Sequence, residues 1–172
     1  MNCGALTPDS IDELLPLFQT DNSFQPDIYV VALQEIVQLN AKNCLKKDTK
    51  RLDYWRKTLT ETLDIVNAQY IQRSGQKLSE EEHQNQQLVY VDKAMVGCYL
   101  AVFLKRKLAA RLKPKSIQIC KVKSGTMGTT GNKGAVCLRF QIDGQAIMII
   151  NSHLISGRRR DEQQTGQLAK IF

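Results

Sequence analysis

Apolar positions along this chain recur with two different periods, and each period marks a set of elements. From Asp9 to Phe18, Ile11, Leu14, Leu15 and Phe18 share one helical face, and Asp9 or Ser10 is placed to cap it. Residues 19–27 form a polar loop closed by Pro26-Asp27. The run Ile28-Tyr29-Val30-Val31-Ala32-Leu33 is continuously apolar, as expected of a strand covered on both faces, and Gln34-Glu35-Ile36-Val37 ends it. The spacing of Trp55, Leu59, Leu63 and Val66 predicts a helix over 53–68. Residues 73–87 are polar and loop-like, with an exposed helical turn at Ser79–His83.

The second half reads as β-structure. Met95 to Leu104 is one long apolar strand and Ile117 to Val122 alternates as another. Ala135–Ile142 and Gln145–Asn151 flank Asp143-Gly144, a strong hairpin signal. Gly157 to Asp161 is a basic loop, after which a helix begins. The sum predicts an α/β domain, a central sheet flanked by helices.

Size and composition narrow the class. A chain of 172 residues with 42% hydrophobic content can bury one real core. No run approaches the ~18 apolar residues of a membrane span, and the first residues lack the charged and apolar regions of a signal peptide. Cys3, Cys44, Cys98, Cys120 and Cys137 show neither CxxC spacing nor paired histidines. They read as reduced, mostly buried thiols of an intracellular protein. The net charge of +7 is uneven: eleven lysines and arginines lie between Asp92 and Asp143, where there is no acidic residue. Such a field attracts phosphorylated small molecules, anionic lipid or nucleic acid.

Candidate chemistry gathers at strand ends. The segment Lys123 to Ala135 holds four glycines, three threonines, an Asn and two lysines between two β-like runs. Glycines there expose backbone N–H groups, and the lysines add fixed positive charge, a combination that suits a phosphate. It is neither a Walker loop nor a dinucleotide fingerprint, because the lysine spacing is wrong and a strand follows instead of a helix. Glu35 stands at the mouth of a buried strand, where a carboxylate is costly unless paired or metal-bound. Magnesium favours one or two carboxylates with an amide oxygen and water, and Asn2 is a candidate for the amide. His153 follows the apolar run Ala146–Ile150 and Asn151-Ser152. A lone histidine at a strand end is more often a hydrogen-bonded structural residue, and it gains interest here because Glu35 and the Gly-rich segment also fall at strand ends.

Together these segments reach a family. Pro26 to Asn43, with Gln34-Glu35 at its centre, resembles the first metal-site segment of the inositol polyphosphate 5-phosphatases. Gly128-Thr129-Thr130-Gly131-Asn132-Lys133-Gly134-Ala135-Val136 is similar to that family's signature loop, and Asn151-Ser152-His153-Leu154 to its Ser-His-Leu strand end. Asn2-Cys3-Gly4 resembles the end of its opening strand, and the Leu39–Asn43 segment leans toward the synaptojanin-like and plant-type branches. The order and spacing agree over essentially the whole chain.

The resemblance implies a four-layer α/β sandwich of the endonuclease/exonuclease/phosphatase, deoxyribonuclease-like type. It implies Mg²⁺-dependent hydrolysis of the 5-phosphate of phosphoinositides or soluble inositol phosphates. Glu35 and Asn2 would hold the Mg²⁺, and His153 would contact the scissile phosphate. Thr130, Asn132 and Lys133 would line the phosphate pocket. The basic stretch Lys105–Lys123 would hold a cytoplasmic protein peripherally at the cytosolic face of a membrane, with no nucleic acid as partner. The family's later segments, which carry the general base, do not occur before Phe172. Residues 1–172 are therefore expected to be about the first half of a catalytic domain, inactive and poorly folded in isolation. Two other readings compete: a phosphoinositide-binding fragment without the reaction, and another phosphodiesterase of the same superfamily.

Overall fold

The computed structural model describes residues 1–19, 25–38, 49–125, 132–156 and 160–172. Among them the chain forms two three-stranded antiparallel sheets. The first contains β1 (Ile28–Gln34), β2 (Leu88–Met95) and β3 (Cys98–Lys105), in the order β1-β3-β2. The second contains β4 (Gln118–Lys123), β5 (Gly134–Ile142) and β6 (Gln145–His153), in chain order. The helices are α1 (Leu15–Phe18), α2 (Thr49–Ser74), α3 (Glu80–Gln86), α4 (Arg106–Ala109) and α5 (Arg160–Ile171).

The apolar pattern explains how these elements stack. Along β3, Tyr99, Ala101 and Phe103 meet Trp55, Leu59 and Leu63 of α2 in one core. The alternate residues Leu100, Val102 and Leu104 meet Val136, Leu138 and Phe140 of β5 in the other. A strand buried on both faces needs such an unbroken apolar run. The first sheet thus lies between α2 and the second sheet, and α5 packs against β5.

Several boundaries differ from the sequence reading, each for a local reason. The helix expected over 9–18 splits into a single 3₁₀ turn at Ile11–Glu13, with Ser10 Oγ accepting from Asp12 N–H, and α1 with Pro16 in its first turn. The expected strand Met95–Leu104 is two strands. Gly97, at φ +75°, turns the chain between Met95 and Cys98, and Leu88–Met95 pairs back on β3. The long helix spans 49–74 instead of 53–68. Inside the expected 73–87 loop, Ser79 and Glu82 form a reciprocal capping box that starts α3, on which His83 is exposed. The Asp143-Gly144 hairpin is present with both residues at positive φ, as a type I′ turn requires. Strand β6 continues two residues beyond Asn151, so Ser152 and His153 are part of it. Cys98 and Cys137 are buried and Cys120 is exposed. Cys44 lies outside the described residues, as do residues 157–159 of the expected basic loop.

Candidate active site

The site is assembled where strands from both sheets end together. Strand β1 closes with Gln34, and Glu35 follows in a left-handed conformation at φ +53°. This backbone is costly for a residue with a Cβ and turns the carboxylate out of the strand. In the neighbouring strand Gln34 lies opposite Cys98. In the second sheet Gly134 lies opposite both Lys123 and His153.

Two buried polar contacts hold the sheets in register at this end. Asn151 is 4% exposed, and its Nδ2 donates to Leu33 O and Tyr99 O, each at 2.9 Å. Gln34 Nε2 donates to Ser152 O at 2.6 Å. Neither role follows from the sequence. An amide interrupting an apolar strand is the only signal, and its acceptors are remote along the chain.

Fixed in this way, Glu35, Lys133 and His153 converge. His153 Nε2 lies 3.3 Å from Glu35 Oε1 and 2.8 Å from Lys133 Nζ. An ammonium only donates and a carboxylate only accepts. The Lys133 contact therefore requires a bare Nε2, whereas bonding to Glu35 requires a protonated one. Burial and the Lys133 charge push the His153 pKa down, against the opposing pull of Glu35 and the Asn132 backbone. In the neutral ring a proton on Nε2 donates to Glu35, and a proton on Nδ1 leaves Nε2 to accept from Lys133. Among the described residues His153 Nδ1 is buried and has no hydrogen-bond partner.

Gly134 explains how Lys133 reaches this position. Its φ is +138°, and a side chain there would drive Cβ into the Val122 carbonyl. Ser124 N–H donates to Lys133 O at 2.9 Å, which closes the neck of the Gly-rich segment. Asn132 sits beside the cluster through its backbone. Thr130, the remaining pocket candidate, lies outside the described residues. A recess of about 440 Å³ opens beside Lys133 and Asn132, with Ser124, Gln163 and Lys170 on its walls. Gln167 braces that wall, donating to Ser124 O and accepting from Ile155 N–H.

Asn2 lies one strand over. It forms a short parallel bridge with Gln34, and its Oδ1 accepts from Gly4 N–H at 3.0 Å. Cys3 N–H donates to Gln34 O and Ala5 N–H to Glu35 O, so the segment runs directly alongside the Glu35 backbone.

The basic stretch does not collect here. Residues 106–115 follow the far end of β3, and Lys113 N–H donates to Gln141 O near the far end of β5. The nine residues of β5 separate that end from His153 by about 26 Å at strand rise. Lys121 and Lys123 of β4 are the strand lysines toward the site end.

The family model described as endonuclease/exonuclease/phosphatase family 2 matches residues 1–172. The chain belongs to this family. Among its relatives, type IV inositol polyphosphate 5-phosphatase 9 of Arabidopsis thaliana is 32% identical over 95% of the chain. A probable inositol polyphosphate 5-phosphatase of Schizosaccharomyces pombe is 29% identical over 99%. The fold is also that of the inositol polyphosphate 5-phosphatase domain of SPsynaptojanin, solved in complex with inositol (1,4)-bisphosphate and calcium ion. The match has a TM-score of 0.70 and 24% identity and covers 99% of this chain. The chain spans 39% of the Arabidopsis relative, 15% of the yeast one and 43% of the SPsynaptojanin domain. No described helix is long and apolar enough to cross a membrane.

Proposed function

We propose that residues 1–172 supply the metal- and phosphate-binding half of an Mg²⁺-dependent phosphatase that removes the 5-phosphate from phosphoinositides or inositol phosphates. The observation that carries this reading is the Lys133–His153–Glu35 cluster, set at strand ends beside the Gly-rich segment. The names of the relatives agree with it.

The donor set fits a hard cation. Among the described residues no three His, Cys, Asp or Glu side chains converge as a self-sufficient metal centre. What this chain offers is the Glu35 carboxylate, 31% exposed, and the amide of Asn2, which is bridged to Gln34. One carboxylate and one amide oxygen, completed by water and substrate phosphate, is a magnesium-type arrangement. A bound Mg²⁺ would neutralise phosphoryl oxygens and stabilise charge in an in-line displacement.

The chain's own residues do the rest. Glu35 would hold the cation, which would leave Lys133 as the partner of His153 Nε2. An arriving phosphate draws the Lys133 ammonium toward its oxygens, which frees the imidazole to hydrogen-bond the same group. Asn132 borders that pocket. The base that activates water comes from the part of the domain outside these residues. Lys121 and Lys123 face the protein's charge toward an anionic membrane surface at the site end, where each basic residue contributes about 1 kcal/mol. This suits a protein peripheral to the cytosolic face.

The test is phosphate release by the full-length protein from pairs of inositol phosphates that differ only at the 5-position. Release confined to the 5-phosphorylated member supports the reading. Equal release from both, or binding without release, overturns it.

A further inference from the structure

The second sheet carries a cysteine pair that the proposed chemistry does not use. Cys120 of β4 and Cys137 of β5 are direct partners in the antiparallel register. Opposite residues in such a pair have Cα atoms about 4.5–5.5 Å apart and side chains on the same face. That separation lies inside the range a disulfide spans. Cys120 is exposed and Cys137 is 3% exposed, so an accessible thiol is backed by a shielded one. No other described cysteine competes: Cys98 is flanked in register by Gln34 and Met95, and Cys3 lies on the first sheet beside Gln34.

We infer that Cys120 and Cys137 form a reversible cross-strand disulfide when the protein meets a peroxide. Cys120 is oxidised first, its sulfur gaining an oxygen as the peroxide O–O bond breaks and one water leaves. The Cys137 sulfur then attacks the sulfenic sulfur. The S–S bond forms, the S–O bond breaks, and the hydroxyl departs as a second water with the remaining thiol proton. Two thiols and one hydrogen peroxide thus give one disulfide and two waters.

The position gives the link a consequence. Within the second sheet β4 is an edge strand paired only with β5 among the described residues. These two strands enter and leave the Gly-rich segment, and Lys133 follows it directly. The disulfide fastens the edge strand that leads into Ser124 to the strand that begins beside Lys133.

The experiment exposes the full chain to stoichiometric hydrogen peroxide, blocks free thiols with an alkylating reagent, and maps peptides by mass spectrometry before and after dithiothreitol. The expected result is a linked Cys120–Cys137 peptide lighter by two hydrogens. Both thiols should lose alkylation one for one and both should recover on reduction. Cys120→Ser, a change at an exposed position, should abolish the link and leave Cys137 fully alkylated. Three outcomes overturn the inference: Cys120 converted to sulfinic acid with Cys137 still free, an intermolecular Cys120–Cys120 dimer, or neither thiol consumed.

Discussion

Asn151→Ala isolates the contact that joins the two sheets beneath the site. The side chain is buried, and its amide donates to two carbonyls, Leu33 O and Tyr99 O, which belong to residues directly opposite each other in the first sheet. Alanine removes both donors. Each lost bond costs about 1 kcal/mol net, and a carbonyl stranded in a dry interface costs about 1–3 kcal/mol. The missing amide also leaves a small cavity, adding about 1 kcal/mol. The expected loss is about 3 kcal/mol. With a urea slope of about 3 kcal/mol/M for a domain of this class, the midpoint falls by about 1 M. The assay is urea unfolding of the full-length protein, followed by circular dichroism. Asn151→Asp, which keeps the shape but supplies no donor, should lose at least as much. Met148→Ala is the control: it lies three residues away on the same strand, 54% exposed, and should stay within about 0.5 kcal/mol. An Asn151→Ala midpoint within about 0.2 M of wild type would refute the reasoning.

Other substitutions separate the roles of neighbouring residues. Gly134→Ala should destabilise by about 2–3 kcal/mol in the same urea assay, because its Cβ meets backbone and cannot be relieved by a side-chain rotation; a neutral result would show that the strand neck is looser than described. Glu35→Gly should abolish phosphate release while leaving the melting temperature unchanged or higher, since glycine relieves a left-handed backbone that costs about 1 kcal/mol or more; a clear loss of stability would show that the carboxylate holds the fold. Asp27→Asn should cost about 2 kcal/mol, discounted for the half-exposed carboxylate, because it leaves Lys105, 3% exposed, without its partner. Despite some burial, Lys107 and Lys105 hold the Asp27 carboxyl below the usual carboxylate range. Its contribution is therefore present above the unfolded value and is lost as pH falls through the folded one. Urea midpoints measured down the acid range should converge for wild type and Asp27→Asn; parallel curves would contradict the pairing.

Local rules made much of this molecule legible. Asp143-Gly144 names its own turn, since both positions need positive φ. Ile28–Leu33 reads as doubly covered because every position is apolar, but β1 lies at the end of its sheet: Tyr29, Val31 and Leu33 are buried while Val30 is exposed. Ser79 with Glu82 was visible as an exposed turn, although the reciprocal capping that makes it a helix is clear only once the backbone closes. Strand β2 escaped because Asp92-Lys93 interrupts its apolar positions, and Gly97 is the single mark of the reversal into β3. Glu35, Lys133 and His153 were individually legible as polar groups at strand ends. Their convergence was not, because it depends on Asn151 and Gln34 bridging sheets whose contacts are 118 residues apart. Where the basic stretch lies was hidden for a related reason: continuity in sequence says nothing about which end of a strand a residue reaches.

The most direct test of the account is an Mg²⁺ titration of phosphate release from a 5-phosphorylated inositol phosphate, comparing the full-length wild type with Glu35→Gln. The account predicts that chelator abolishes wild-type release and Mg²⁺ restores it. Glu35→Gln, which keeps the shape and removes the charge, should lose about 10²-fold or more in rate and require far more Mg²⁺. Wild-type release that survives chelation, or a Glu35→Gln protein with the same rate and the same Mg²⁺ dependence, would contradict it.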